Sequence, residues 1–108
     1  MHITIESLEQ YLSHRYKGWA KEESMFMKLV EEMGEVAEVL NKKVGRKAND
    51  EADINEHLGV ELADMIHYIV AIAALNDLDL ERIILEKDRK ASVKYNHDIN
   101  LEQFLQSR

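Results

Sequence analysis

Apolar residues recur at intervals of three and four along most of the chain, which is the spacing of amphipathic α-helices. The pattern predicts four long helices: Ile5 to Tyr16, Lys21 to Lys43, Asp53 to Leu75 and Leu80 to Tyr95. The tail from Asn100 to Gln106 has room for one more turn. No proline interrupts these segments. We therefore expect an all-α fold.

The predicted helices are separated by residues that commonly begin or end a helix. Gly18 breaks the pattern after the first helix, and Gly45 is a typical helix stop after the second. The polar segment from Gly45 to Asp53 is predicted to be a loop. Asp53, three residues before Glu56, fits a capping-box start for the third helix, and Asp79 is the predicted N-cap of the fourth.

The second and third predicted helices are long and joined by a modest loop, so we expect them to pack antiparallel in a four-helix, bundle-like core. With 108 residues, the chain is expected to be a single domain, residues 1–108. The third helix is apolar almost all round, which is typical of a helix buried on more than one side. We therefore expect a second copy of the chain to cover it, in a homodimer or homotetramer.

Composition and charge narrow the range of functions. The net charge is −7, which disfavours nucleic-acid binding, because that needs clustered Lys and Arg. The N-terminus lacks a signal-peptide pattern, and the most apolar stretch contains two acids, so no membrane partner is expected. The chain has no cysteine, which excludes disulfides and thiolate metal sites and fits a cytoplasmic location.

The second predicted helix carries four glutamates within eight residues. Glu32 borders the face expected to join the core, and Glu35 lies next to it, whereas Glu31 and Glu38 lie nearer solvent. That expected core face is apolar: Leu29, Met33, Val36 and Leu40. Acids crowded in this way on one helix repel one another unless something positive binds between them.

The third predicted helix repeats this layout with Glu61 and Asp64. They are the only charged residues in the apolar segment from Leu58 to Leu75, and acids are rarely buried unless paired or metal-bound. If the two helices pack antiparallel, both acid pairs converge on one cavity. Mg²⁺, with Mn²⁺ as a substitute, prefers such carboxylate ligands.

Two other interpretations remain open. The acids could be solvated surface charge on a helical oligomerisation module, or could form a nucleotide- or metal-sensing site without catalysis. Asp64 and His67 also match one half of a carboxylate-bridged di-iron motif, but the second predicted helix has no histidine to supply the other half.

The paired motif "EEMGE" and "ELAD" resembles the MazG-like nucleotide pyrophosphohydrolases, an all-α superfamily that includes dimeric dUTPases and dCTP pyrophosphatases. Its pattern is EExxE followed by ExxD on the next helix. The resemblance covers about residues 21–95 and implies Mg²⁺-dependent hydrolysis of a nucleoside triphosphate, in the first place a deoxynucleotide, to monophosphate and pyrophosphate. It implies a nucleotide house-cleaning role and assembly of the four-helix core into dimers or dimers of dimers.

The resemblance also assigns roles to individual residues. It implies Mg²⁺ ligation by four carboxylates: Glu32, Glu35, Glu61 and Asp64. It further implies that Glu32 or Glu35 helps to deprotonate the attacking water, with Glu31 and Glu38 as supporting residues or additional ligands.

Substrate contacts are expected at five further positions. Trp19 and Tyr68 are candidates to contact the nucleoside, although both residue types are more often packing residues. Lys90, Lys94 and Asn96 are candidates for the phosphates, because the resemblance implies basic and amide residues at the end of the fourth helix. A solvated basic face near a helix C-terminus explains the lysines equally well.

Overall fold

The computed structural model describes residues 1–46, 49 and 52–108, and within them the chain is all-helical. It has five helices there: α1 (Ile5–Tyr16), α2 (Glu22–Lys43), α3 (Ile54–Leu75), α4 (Leu80–Lys94) and α5 (Leu101–Gln106). The predicted helices are confirmed to within one or two residues at each end. The predicted loop between α2 and α3 lies partly outside the described residues.

Side chains near the helix ends explain several of these boundaries. The side chains of Asp53 and Asp79 each accept a hydrogen bond from the backbone N–H three residues later, as N-caps do. Thr4 and Ser7 form a reciprocal capping box at the start of α1. Gly18 and Gly45 have positive φ angles of 92° and 82°, which glycine adopts without strain.

The helices α2 and α3 pack antiparallel along their length, and α1 packs on the other side of α3. The antiparallel direction is visible at the ends, since the side chain of Asn76, just after α3, donates to Glu22 at the start of α2 over 2.6 Å. Lys17 and Asp77 form an ion pair at the same end of the molecule. Most of the buried core lies there, between α1, the start of α2 and the end of α3: Leu12, Tyr16, Met25, Val70, Ala71 and Ala74.

The helices α4 and α5 extend from this three-helix unit. The Glu81 side chain accepts a hydrogen bond from the backbone N–H of Glu6, and the Glu9 side chain accepts one from that of Leu80. Each helix therefore supplies an acceptor for a backbone N–H in the first turn of the other. Asp88 accepts from the first residue of α5 at 2.6 Å. The radius of gyration is 17.1 Å, larger than the roughly 13 Å of a compact chain of this length.

The predicted core face of α2 is wrong in part. Met33 and Leu40 are about half exposed, whereas Val39 is buried. On α3, a stripe at helical spacing is also exposed: Leu62, Ile66 and Ile69. The helical period gives the direction of each side chain correctly, but it does not determine which sides of a helix a neighbouring helix covers.

The helix α3 is long and apolar enough to cross a membrane by length and composition alone. A single such helix is weak evidence for a membrane span, since core helices of soluble proteins pass the same test. Here α3 packs between α1 and α2 and carries Glu61 and Asp64, which are costly in hydrocarbon.

Leu12 is fully buried at the centre of the core. We expect Leu12→Ala to lower the free energy of unfolding by about 2–5 kcal/mol, because it leaves a cavity where three helices meet. Leu78→Ala is the matched control, since Leu78 is 44% exposed in the α3–α4 turn. Urea denaturation at one fixed protein concentration measures both variants, and equal losses would show that the core is centred elsewhere.

Candidate metal centre

Three of the predicted ligands meet at the seam between α2 and α3. Glu32 extends from α2, and Glu61 and Asp64 extend from α3 one turn apart. One carboxylate oxygen from each of the three lies within 4.8 Å of the others. All three side chains are partly shielded from solvent. The antiparallel packing therefore brings three of the four predicted ligands together.

The crowding of these acids affects the protonation of Glu32. A hydrogen bond between the Glu32 and Glu61 carboxyl groups is the largest cause that raises the pKa of Glu32 to about 7, and desolvation adds to it. The negative charges of Glu61, Asp64 and Glu35 act in the same direction. Near neutral pH such a carboxyl group is partly protonated, chiefly because the proton is shared with Glu61 and because the group is desolvated. The site thus needs a positive charge to be fully ionised.

The donor set fits Mg²⁺. The three candidate ligands offer carboxylate oxygens only, which Mg²⁺ prefers, and these oxygens lie within 4.8 Å of one another. Glu61 and Asp64 are the only acids in the largely apolar part of α3 from Leu58 to Leu75, where an unpaired carboxylate would be unfavourable. The raised pKa of Glu32 is the physical sign that these acids are compressed rather than freely solvated.

Glu35 belongs to a second group, with a residue that the sequence analysis missed. Ligand atoms of Glu35, His57 and Glu61 also lie within 4.8 Å of one another. The His57 Nε2 lies 3.3 Å from a Glu61 oxygen. His57 is four residues before Glu61 on α3, so the His-x-x-x-Glu spacing was the available signal.

Glu31 and Glu38 lie outside both groups. Glu31 is exposed and forms an ion pair with Lys28 at 3.4 Å, as expected for the solvent side of α2. Glu38 is also exposed.

The two candidate nucleoside contacts, Tyr68 and Trp19, lie in different parts of the structure. Tyr68 borders the acids, since burial, Tyr16 and Glu32 all raise the pKa of its phenol. Trp19 precedes α2 and is 68% exposed, with its indole N–H donating to the carbonyl of Arg15. It lines a cavity of about 340 Å³ at the far end of the helix pair. Ten residues of helix, or about 15 Å, separate the start of α2 from Glu32.

The candidate phosphate contacts are not brought to the acids within one chain. Lys90 and Lys94 are exposed on α4, whose main contacts among the described residues are with α1 and α5. The Lys94 ammonium lies over the ring of Tyr95 at 5.3 Å. Asn96 has a positive φ of 55° and lines a separate cavity between α4 and α5.

The di-iron interpretation receives no support from the position of His67. Its Nε2 is hydrogen-bonded to the Tyr16 hydroxyl at 2.8 Å. His67 belongs to neither of the two candidate ligand groups found among the described residues. The histidine beside the acids is His57 instead.

Comparison with known proteins identifies relatives of this chain. The family model of the MazG nucleotide pyrophosphohydrolase domain matches residues 20–98, which include both acid motifs. The crystal structure of iMazG from Vibrio DAT 722 superposes with a TM-score of 0.67 at 27% identity, covering 88% of this chain and 100% of that one. YpjD of Bacillus subtilis (strain 168), described as uncharacterized, is 26% identical over 74 residues, 68% of this chain and 67% of YpjD. Because the family model spans well over half of the sequence, the chain belongs to the MazG nucleotide pyrophosphohydrolase family.

Proposed function

We propose that this protein hydrolyses a nucleoside triphosphate, in the first place a deoxynucleoside triphosphate, to the monophosphate and pyrophosphate. The observation that carries the proposal is the convergence of Glu32, Glu61 and Asp64 at the α2–α3 seam. Family membership supports the reaction class. The cofactor we propose is Mg²⁺, with Mn²⁺ as a substitute, and the role is house-cleaning of the cytoplasmic nucleotide pool by a single domain, residues 1–108.

In this proposal the carboxylates have two roles, cation binding and acceptance of a proton from the attacking water. Glu32, Glu61 and Asp64 would hold the cation. Glu35, one turn further along α2, would add a further carboxylate ligand on the side of Glu61. When bound, Mg²⁺ offsets the charge of the triphosphate and lowers the pKa of a water molecule. Glu32 or Glu35 accepts the proton of the attacking water. Glu35 is exposed, so it can pass that proton on to solvent.

Substrate recognition requires more than one chain in this proposal. Tyr68 contacts the nucleoside beside the acids, and Trp19 contributes its exposed ring from the far end of α2. The candidate phosphate contacts lie on α4 or just after it, away from the acids of their own chain: Lys90, Lys94 and Asn96. In this proposal a second protomer brings these residues to the triphosphate. The exposed apolar stripe of α3 supports such an assembly. We therefore propose a homodimer or homotetramer.

Glu61→Gln tests the reaction and the site together. Glu61 belongs to both ligand groups, so we expect kcat/KM to fall by about 100-fold or more while the fold is kept. A panel of NTPs and dNTPs with Mg²⁺, followed by release of monophosphate and pyrophosphate, identifies the substrate and measures the loss.

Glu56→Gln is the matched control, since Glu56 is an exposed acid in the first turn of the same helix. No turnover of any nucleotide by folded wild-type protein would overturn the proposed reaction. A thermal melt then separates the remaining alternatives: a metal-sensing module is stabilised by Mg²⁺, whereas a purely structural module is not.

The protonation of Glu32 predicts how stability depends on pH. After removal of metal, the folded protein binds a proton at Glu32 up to about pH 7, whereas the unfolded chain loses it near its ordinary value of about 4.3. Between these values the folded state binds more protons, so the free energy of unfolding falls as pH rises. We expect this fall in urea titrations at pH 5, 6, 7 and 8. In Glu32→Gln the slope should be markedly smaller, and an unchanged slope would contradict the assignment.

The exposed stripe of α3 predicts a mutation that dissociates the assembly. Ile66 is 54% exposed in the single chain, and Ile66→Glu would bury a charge at a protomer contact. We expect the dissociation constant to rise by about 100-fold or more, measured by sedimentation equilibrium. Asn55→Glu introduces the same charge at an exposed position in the first turn of α3 and should leave the assembly intact. A monomeric wild type would contradict the proposed assembly.

A further inference from the structure

His57 places an imidazole against an acid that the proposed cation site already uses. Its Nε2 lies 3.3 Å from a Glu61 oxygen, and the two side chains are only 32% and 14% exposed. Glu35 brings a carboxylate oxygen from α2 to within 4.8 Å of both ligand atoms. This group therefore contains one nitrogen and two oxygen donors from two different helices.

The register of the helix pair places this group beside the all-oxygen group. Glu35 follows Glu32 by one turn of α2, and His57 precedes Glu61 by one turn of α3. Because the helices are antiparallel, both steps lead in the same direction along the seam. One turn is about 5.4 Å, and carboxylate-bridged metal pairs are about 3.5–4 Å apart. Glu61 belongs to both groups, so it is in position to bridge two cations.

The donor chemistry of the two groups differs. Glu32, Glu61 and Asp64 offer oxygen alone, which suits Mg²⁺. Imidazole nitrogen is a good ligand for divalent transition metals and a poor one for Mg²⁺. A simpler explanation for His57 is a helical ion pair with Glu61, which would need a protonated ring and would exclude metal ligation by the same nitrogen.

We propose that Glu35, His57 and Glu61 form a second cation position that takes a divalent transition metal such as Mn²⁺ through the His57 imidazole. The inference deepens the proposed function and rests on it, because the proposed function supplies the neighbouring all-oxygen position. The second ion would share Glu61 with the first. The helical ion pair is the alternative that the experiment must exclude.

Electron spin-echo spectroscopy of Mn²⁺ reads out the imidazole directly, because a coordinated nitrogen modulates the echo of the metal's electron spin. With two equivalents of Mn²⁺ added to the metal-free protein, we expect ¹⁴N modulation in the wild type and none in His57→Gln. His14→Gln is the matched control, since His14 is exposed on α1, and it should keep the modulation. Absence of modulation in the wild type, or its persistence in His57→Gln, would overturn the inference.

Calorimetric titration adds the stoichiometry and the metal preference. We expect two Mn²⁺ per chain in the wild type, with one of them at least tenfold weaker in His57→Gln. Mg²⁺ binding to the all-oxygen group should change by less than twofold. His57→Glu keeps a ligand but removes the nitrogen, so it should restore the second Mn²⁺ without the ¹⁴N signal. Equal Mn²⁺ binding by the wild type and His57→Gln would favour the ion pair.

These readouts do not depend on turnover, so the two proposals can fail separately. Nucleotide hydrolysis with no ¹⁴N modulation would overturn the mixed-ligand position and leave the proposed reaction standing. Modulation without hydrolysis of any nucleotide would overturn the proposed reaction and leave the mixed-ligand position standing. Far-UV circular dichroism of His57→Gln without metal is expected to match the wild type, because the side chain is one-third exposed.

Discussion

Mutual repulsion among carboxylates at one helix seam is the constraint that dominates this structure. Glu32, Glu61 and Asp64 point toward one another because α2 and α3 pack antiparallel in a single register. Without a cation, a shared proton between Glu32 and Glu61 is what offsets part of this repulsion, and it raises the pKa of Glu32. The energy that holds them together must come from apolar packing elsewhere along the same two helices.

That packing is concentrated at the end of the molecule away from the acids. Leu12 and Tyr16 of α1 meet the alanine-rich end of α3, where the small side chains of Ala71 and Ala74 allow close approach. The hydrogen bond between Tyr16 and His67 connects this core to the turn of α3 that follows Asp64. Separation of the rigid core from the repelling acids lets the site stay crowded without disrupting the fold that supports it.

Much of this arrangement follows from the sequence, and the exceptions share one physical cause. Helix ends were predictable because Asp53, Asp79 and the glycines act on their own local backbone. The pairing of the acids was predictable from two equal patterns and the assumption of antiparallel packing. The predictions that failed concern contacts with neighbouring helices: Met33 was expected in the core but is 51% exposed in the single chain.

The same limit applies to the candidate substrate contacts, because their positions relative to the acids depend on how the helices pack. Trp19 precedes α2, and about 15 Å of that helix separates its first residue, Glu22, from Glu32. The lysines of α4 come after the two acid motifs in the sequence, but the helix that carries them packs on α1 and not on the acids. His57 was detectable as an i, i+4 partner of Glu61, but it lies outside the two acid motifs, which contain only carboxylates as candidate ligands.

The position of His57 has a consequence for how the site balances its charge. A seam lined by acids alone becomes more repulsive with each added carboxylate, so its ligand number is limited. A neutral imidazole adds a donor without adding negative charge, and it does so at the one place where Glu61 is shared. A second cation there would relieve the repulsion between Glu61 and Glu35. Charge balance therefore favours two cations over one at this seam, and the nitrogen donor determines which kind of ion the second position accepts.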